Sequence, residues 1–236
     1  MNFKRGNFDK VSLKLDKKVK WCNNCVISNQ RPRIIFDKNN ICSACNNLKY
    51  NNTINWADRE QKLIKLLSKY KKNNGNWDVI VPSSGGKDSG YVAHQLKYKY
   101  GMNPLLVTWS PLKYTDIGMK NFNALNDSGF INIKCSPNGI IHRKLARLSF
   151  EEFGDAFHVF VLGQVYFPIH IALKFDVKLI FYGENGEVEY GGSFKNVDKP
   201  YESPADWEEE YYKGAGFDTV LKEGNKMGII SDEELS

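Results

Sequence analysis

The sequence lacks two features that membrane and secreted proteins need: a long uninterrupted apolar run and an apolar leader. Its longest apolar stretch, residues 158–175, is interrupted by Gln164, Pro168 and His170, and so predicts a buried helix rather than a membrane span. The first six residues, MNFKRG, contain no apolar segment of the kind found in a secretory signal. We therefore expect a cytoplasmic protein that does not associate with membranes.

Core-forming residues are not scarce, but charge is unevenly distributed. Of 236 residues 42% are hydrophobic and 13% aromatic, which is enough for one α/β domain with a small appendage. Residues 1–38 carry ten Lys or Arg and three acids, whereas residues 201–236 carry ten acids and three Lys. The basic end could bind an RNA backbone or an acidic sugar, or could be a solvated surface.

Cysteines are few, yet four of the five form two CxxC pairs. Cys22 and Cys25 are followed, after 16 intervening residues, by Cys42 and Cys45. Two such turns can bring four thiolates to one tetrahedral Zn²⁺, and a full ligand set indicates a structural metal. Two disulfides would suit a secreted protein, and a redox dithiol would need only one CxxC. We predict a zinc ribbon within a basic segment of residues 1–50, with short strands near residues 33–36.

The rest of the chain alternates between helical and strand patterns. Leu63, Leu66, Leu67 and Tyr70 share one helical face, which predicts an amphipathic connector helix, 56–72, within residues 51–76. From residue 77 to 236, predicted strands at 77–82, 104–109, 130–135 and 177–182 are separated by helices. This alternation predicts a parallel sheet covered by helices on both faces, with ligands at the carboxyl ends of its strands.

The segment after the first predicted strand has the composition of an anion-binding loop. Gly85 and Gly86 would let the backbone approach a polyphosphate, and the neighbouring donors are Ser84, Lys87 and Ser89. A strand-to-helix turn that binds nothing would need only one glycine.

This loop is not a Walker P-loop. That motif needs a glycine five residues before Gly86 and a Ser or Thr after Lys87, where this chain has Val81 and Asp88. Asp88 would suit a magnesium ligand, a helix N-cap, or both.

Further candidates lie near the other strand ends. Glu184 and Asn185 follow the last predicted strand and could hold Mg²⁺ or position a substrate amide, or could lie in a solvent-exposed hairpin. On the buried helix, Gln164 is expected to face the crevice. Cys135 and His142 lack a third orienting group, so we expect a free buried thiol.

Several motifs together resemble one enzyme family. The ribbon and the loop are followed by Gly163-Gln164 before Pro168, by Gly183-Glu184-Asn185, and by Glu189-Tyr190-Gly191-Gly192. The loop resembles the SGGxDS loop of the PP-loop ATP pyrophosphatases. Over residues 20–236 the combination resembles the N-acetyl sugar amidotransferases of bacterial surface-polysaccharide and flagellin-glycan biosynthesis. Members of that family are longer, and Ser231 to Glu234 resembles a capping box that opens a helix, so we expect a truncated chain.

The resemblance implies an AMP-forming amidotransferase. Such enzymes adenylate the acetamido oxygen of a nonulosonic or uronic acid type sugar, and ammonia then displaces AMP to give an acetamidino group. Implied cofactors are ATP, Mg²⁺ and structural Zn²⁺. The loop, Ser84 to Ser89, would bind ATP and pyrophosphate, with Lys87, Asp88 and Glu184 in catalytic roles and Asp88 on Mg²⁺. Adenosine would lie between Thr108 and Trp109, and substrate would contact Gln164, Glu184, Asn185 and Tyr190.

No glutaminase triad of Cys, His and Glu is recognisable, so the resemblance implies an ammonia supply from a HisH-like glutaminase through a HisF-like barrel. The alternative is a PP-loop tRNA-modifying enzyme, a thiolase or a lysidine-type ligase. That function would explain the basic ribbon, but it normally requires catalytic cysteines in the main domain, where Cys135 is the only one.

Overall fold

A computed structural model of the chain describes residues 16, 18–31, 33–184, 199, 201–210, 212 and 215–235. Within these residues the fold is mixed α/β, with a parallel sheet of three strands and a separate cysteine-containing segment before it. The described helices include none with the length and apolarity needed to cross a membrane.

The cysteine-containing segment has little regular structure. Two isolated antiparallel bridges join Trp21 to Ser28 and Phe36 to Cys42, and helix α1 (Ser43–Asn51) begins at the second CxxC pair. The strands predicted near residues 33–36 are reduced to the single bridge at Phe36. The reason is local: the main chain of Ile35 accepts from Ser43 N at 2.7 Å and donates to Ser43 Oγ at 3.1 Å, so it pairs with the start of a helix.

The predicted connector is helix α2 (Trp56–Tyr70). Its N-cap is Asn55, whose side chain accepts from Asp58 N at 3.1 Å and satisfies one of the free N–H groups of the first turn. The helix buries Leu67 against the sheet, as its amphipathic pattern predicts.

Three parallel strands form the sheet in the order β1 (Val79–Pro82), β2 (Pro104–Trp109) and β3 (Ile131–Cys135). The strand predicted at 177–182 is shorter than expected and contributes one parallel bridge, between Ile180 and Ile80. There Ile80 N donates to Leu179 O at 2.9 Å and Phe181 N donates to Ile80 O at 2.8 Å. The segment therefore lies on the side of β1 opposite β2, and the direction of chain progression reverses at β1.

Helices separate the strands as the alternating pattern predicts. Those between the strands are α3 (Lys87–His94), which continues as a π-helical turn (Gln95–Lys99), and α4 (Asp116–Asp127). Those after β3 are α5 (Gly139–Phe153), α6 (His158–Lys174), α7 (Pro204–Glu210), α8 (Phe217–Lys226) and α9 (Asp232–Leu235). The capping box expected at the start of α9 is present, because Glu234 N donates to Ser231 Oγ and Ser231 N to Glu234 Oε2.

Both faces of the sheet are buried. Val79 and Val81 pack in a cluster with α2 and α3, whereas Ile80 packs on the other face with residues of β2 and α6. A strand with no polar face is typical of a parallel sheet covered by helices on both sides. A third cluster joins α5 and α6 to α8.

A buried carboxylate connects the segments that precede β1 and β2 through hydrogen bonds. Asp78, which is 4% exposed, accepts from Lys72 N at 2.6 Å and from Asn103 N at 2.8 Å. It thus links the segment after α2 and the segment before β2 to the start of β1.

We expect Asp78→Ala to lower the free energy of unfolding by about 2–4 kcal/mol, because two main-chain N–H groups lose their acceptor. Urea denaturation measures the change. The matched control is Asp127→Ala, an exposed aspartate on α4, which should change stability by no more than about 0.5 kcal/mol. Equal midpoints for the two variants would contradict the role given to Asp78.

Candidate functional site

The four CxxC cysteines converge, as predicted. The sulfur atoms of Cys22, Cys25, Cys42 and Cys45 all lie within 4.8 Å of one another, a cluster that could hold a metal ion such as zinc. Elsewhere in the described part of the chain, no group of three or more His, Cys, Asp or Glu side chains is so placed.

Hydrogen bonds and burial give the thiols of this cluster different pKa values. Burial acts to raise the pKa of Cys22, but N–H donors from Cys42 and Asn24, each 3.3 Å from its sulfur, lower that pKa to about 6. Burial raises the pKa of Cys42 to about 12. Binding of a divalent metal must therefore release protons from this cluster, because the metal needs thiolates.

The segment around the cluster has almost no apolar core of its own. Between residues 16 and 52, the described buried residues are Cys22, Cys42, Ser43 and Asn47. Several of its larger apolar side chains, including Trp21, Val26 and Ile35, are exposed, and others such as Ile27 and Phe36 are only partly buried. Hydrophobic burial cannot hold such a segment together, so the donor set fits a structural metal.

The two glycines of the loop after β1 differ in whether the surrounding structure requires glycine. Gly85 has φ +88°, and a Cβ atom there would lie 2.7 Å from the main chain of Phe122 on α4, so packing alone requires glycine. At Gly86, the nearest atom to an added Cβ would be Ser84 Oγ at 3.9 Å. Among the described residues no atom requires glycine at Gly86, and this position faces a cavity.

That cavity has a volume of about 380 Å³ and lies at the carboxyl ends of β1 and of residues 179–181. Its wall on the loop side is formed by Ser84, Gly86, Asp88 and Ser89. The loop is held in shape by Ser83 Oγ, which lies 3.0 Å from Ser89 Oγ and 3.4 Å from Gly85 N.

Gly183 lies at the edge of the cavity opposite the loop. A Cβ atom at this position would lie 2.7 Å from Ser89 N and 2.9 Å from the carbonyl carbon of Asp88. The chain that leaves the sheet on the far side of β1 therefore passes directly against the first turn of α3.

Three further predicted residues line the cavity. They are Trp109 at the end of β2, Gln164 on α6, and Glu184. Trp109 is packed so closely on α6 that a Cβ atom at Gly163 would lie 2.1 Å from its ring, which explains the glycine before Gln164.

Other predicted residues lie elsewhere. Gly85 and Lys87 face an open groove between α3 and α4, and Lys87 Nζ lies 2.7 Å from Asp88 Oδ1. Thr108 does not line the cavity: it is 1% exposed, its hydroxyl donates to the main-chain oxygen of Ser83, and Asn132 Oδ1 lies 3.0 Å away. Asn185 and Tyr190 are outside the described residues.

The N-cap interpretation of Asp88 is wrong. The N-cap of α3 is Gly86, and Asp88 lies inside the first turn, because the tight packing of Gly85 starts the helix two residues earlier. A carboxylate in the first turn still interacts favourably with the helix dipole. It also leaves the side chain at the cavity wall.

Sequence reasoning missed the part of the wall that comes from distant segments. Glu202 and Trp207 line the cavity beside Tyr182, and Trp207 Nε1 donates to Glu202 Oε2 at 2.5 Å. Tyr182 and Trp207 meet edge to face, with ring centroids 5.6 Å apart. The acidic, aromatic composition of this segment was visible in the sequence, but no motif placed it at the loop.

Cys135 and His142 show no sign of a nucleophile and base pair. Burial raises the pKa of the half-buried Cys135 thiol and lowers that of His142, whose ring stacks on Phe160 at 6.3 Å. A raised thiol pKa is unfavourable for a nucleophile.

Comparison with known proteins gives a partial likeness. No family model matches the chain. The chain is 34% identical over 88 residues to "Uncharacterized protein MJ1599" of Methanocaldococcus jannaschii, a match that covers 36% of this chain and 31% of that protein. The family resemblance stated from the motifs stays a prediction.

We expect purified protein to contain about one Zn per chain, and Cys22→Ser to lose both the metal and the folded ribbon, because three thiolates bind structural zinc poorly. Elemental analysis and amide hydrogen exchange over residues 18–51 measure these effects. The control is Cys135→Ser, which removes a cysteine outside the cluster and should keep the metal. Full exchange protection of the ribbon after complete chelation would refute a structural metal.

Proposed function

We propose that this chain is the ATP-binding subunit of an AMP-forming amidotransferase with a PP-loop fold. It converts the acetamido group of a bacterial sugar into an acetamidino group. The observation that carries the proposal is the position of the loop of residues 83–89, between β1 and the start of α3 and at the wall of the cavity.

The sheet topology supports a nucleotide at this place. From β1 the chain progresses to β2 and β3, and then returns to the other side of β1 at residues 179–181. Open α/β sheets bind ligands where the strand order reverses, at the carboxyl ends of the strands. The N–H groups at the start of α3 add positive potential there, which suits phosphate.

The open space at Gly86 supports close approach of a phosphate to the main chain. Because no atom in the described part of the chain lies closer than 3.9 Å to a Cβ atom at this position, the missing side chain leaves room on the cavity side. Ser84 and Ser89 line the same wall and supply hydroxyl donors.

Asp88 is the proposed protein ligand of Mg²⁺. Magnesium in nucleotide sites is typically held by one or two carboxylates and by substrate phosphates, so a single carboxylate on this wall is sufficient. When bound, the ion would neutralise charge on the departing pyrophosphate.

The proposed reaction has two steps. The acetamido oxygen attacks the α-phosphorus of ATP, and the bond to the β-phosphate oxygen breaks to release pyrophosphate. Ammonia then attacks the activated carbon, a proton is lost, and the C–O bond breaks so that AMP leaves with the oxygen. Ammonia would be delivered by a HisH-like glutaminase through a HisF-like barrel.

We expect ATP to be cleaved to AMP and pyrophosphate, and Asp88→Asn to reduce this turnover by about 100-fold or more, because the metal loses its protein ligand. Chromatography of the nucleotide products measures both. The matched control is Asp116→Asn, since Asp116 occupies the first turn of α4 and does not line the cavity. ADP as the sole product would contradict the assignment of the loop.

We expect the isolated chain to accept ammonium but not glutamine, and to use glutamine only after a glutaminase partner is added. The product of an N-acetylated sugar should be lighter by about 1 Da, because NH replaces oxygen. Mass spectrometry of the sugar measures the change, with glutamate release as the second readout. Glutamine-dependent product from the isolated chain would contradict the need for a partner.

One observation favours a second candidate function, modification of tRNA. Trp21 is 60% exposed on the basic ribbon and follows the exposed residues Lys18 and Lys20, a combination of stacking surface and positive charge that suits single-stranded RNA. Modification of tRNA by the protein, with every N-acetyl sugar inert, would favour this function over the first.

A further inference from the structure

Thr108 contacts the main chain of the loop from the side opposite the cavity. Ser83 continues the β1–β2 ladder by donating from its N–H to Val107 O at 2.9 Å. Its carbonyl, however, accepts from a side chain, the buried hydroxyl of Thr108. Because side chains alternate between the two faces of a strand, Thr108 lies on the face opposite Val107 and Trp109, which line the cavity.

This hydrogen bond sets the direction of the next main-chain donor. In a planar trans peptide the C=O and N–H groups point in opposite directions. Because the Ser83 carbonyl is turned toward the Thr108 hydroxyl, the N–H of Ser84 is turned the other way, to the face of the sheet on which the cavity lies. Ser84 lines the cavity, and within the described part of the chain its N–H has no acceptor. A main-chain donor held in this way is available to an anion.

Asn132 on β3 makes the next contact in this chain of hydrogen bonds. Its Oδ1 lies 3.0 Å from Thr108 Oγ1, and its Nδ2 is buried with no hydrogen-bond partner among the described residues. A hydroxyl has one proton, and that of Thr108 is donated to Ser83. Exchanging the amide oxygen and nitrogen of Asn132 lets Nδ2 donate to Thr108 Oγ1, which gives the amide a partner and directs the hydroxyl proton to Ser83.

We propose that Thr108 and Asn132 are positioning residues for the phosphates of the ligand. The Asn132 amide directs the Thr108 hydroxyl to the Ser83 carbonyl, and this hydrogen bond holds the Ser84 N–H toward the cavity. The inference rests on the proposed function for the identity of the ligand. It gives Thr108 a role that needs no contact with adenosine, because the residue acts through the main chain of the loop. A donor oriented before the anion arrives costs no reorganisation when the anion binds.

The test uses inorganic pyrophosphate with Mg²⁺, titrated calorimetrically into the full chain. Thr108→Val keeps the shape of the side chain but removes the donor, so we expect pyrophosphate to bind about tenfold more weakly. Thr108→Ser keeps the hydroxyl and should bind within about twofold of the wild type. Asn132→Ala leaves the hydroxyl in place but no longer directs it, and should weaken binding by about threefold.

The matched control is Asp78→Ala, which destabilises the sheet at the opposite end of β1. Loss of the two hydrogen bonds of Asp78 should lower the melting temperature and leave the affinity for pyrophosphate unchanged. If Thr108 had only a structural role, affinity would follow melting temperature in both variants. Amide NMR of the wild type adds a measurement that needs no variant: bound pyrophosphate should move the Ser84 amide proton downfield, because that proton enters a charge-assisted hydrogen bond.

Each outcome decides the proposal. Affinity lost in Thr108→Val and restored in Thr108→Ser supports it, as does the shift of the Ser84 proton. Equal affinities of the wild type and Thr108→Val overturn it, as does a Ser84 proton that does not move when pyrophosphate binds. If the wild type binds no pyrophosphate, the inference fails together with the proposed function, whereas binding that does not depend on Thr108 removes the positioning role alone.

Discussion

The candidate site depends on the contact between the main chain at Gly183 and the first turn of α3. Because a single methyl group at Gly183 would lie 2.7 Å from Ser89 N, the two segments meet backbone to backbone. That contact brings the end of residues 179–181 beside the end of β1, and it places Glu184 and Asp88 on one cavity. On the other side, Gly85 lets the same loop rest on the main chain of α4. The loop is thus clamped between two backbones, and its shape is set before any ligand arrives, which lowers the entropic cost of binding.

The cavity has polar groups of two kinds. The start of α3 directs N–H groups and a positive helix dipole at the loop, and on the opposite side the described lining residues include the carboxyl groups of Glu184 and Glu202. Part of the wall is apolar and includes Phe157, Val161 and Val165, which limits the access of water to the cavity.

The sequence predicted most of the elements, because their signals are local. Strand β2 has the predicted bounds, the amphipathic pattern of α2 predicted its buried face, and the CxxC spacing predicted the cysteine cluster.

The errors in the sequence-based predictions have tertiary causes. Residues 177–182 were expected to form a full strand, but only Ile180 forms a bridge, and Asp88 is not the N-cap because the packing of Gly85 against Phe122 sets the start of α3. Thr108 follows a strand pattern that cannot show whether a hydroxyl turns to the cavity or to Ser83. Glu202 and Trp207 were missed because nothing local links them to a loop more than a hundred residues earlier.

The two parts of the molecule are stabilised by different means, and this separates their roles. The sheet is held by apolar clusters on both faces, so its stability follows from burial of side chains such as Ile80 and Leu106. The ribbon has buried cysteines where the sheet has aliphatic side chains, and several of its apolar residues, such as Trp21 and Val26, are exposed. Loss of a metal would therefore disrupt the ribbon and leave the forces that hold the sheet unchanged. Exposed apolar and basic groups on such a segment are typical of a surface that contacts another molecule. The proposed recognition role therefore falls to the ribbon, whereas the proposed chemistry falls to the cavity beside α3.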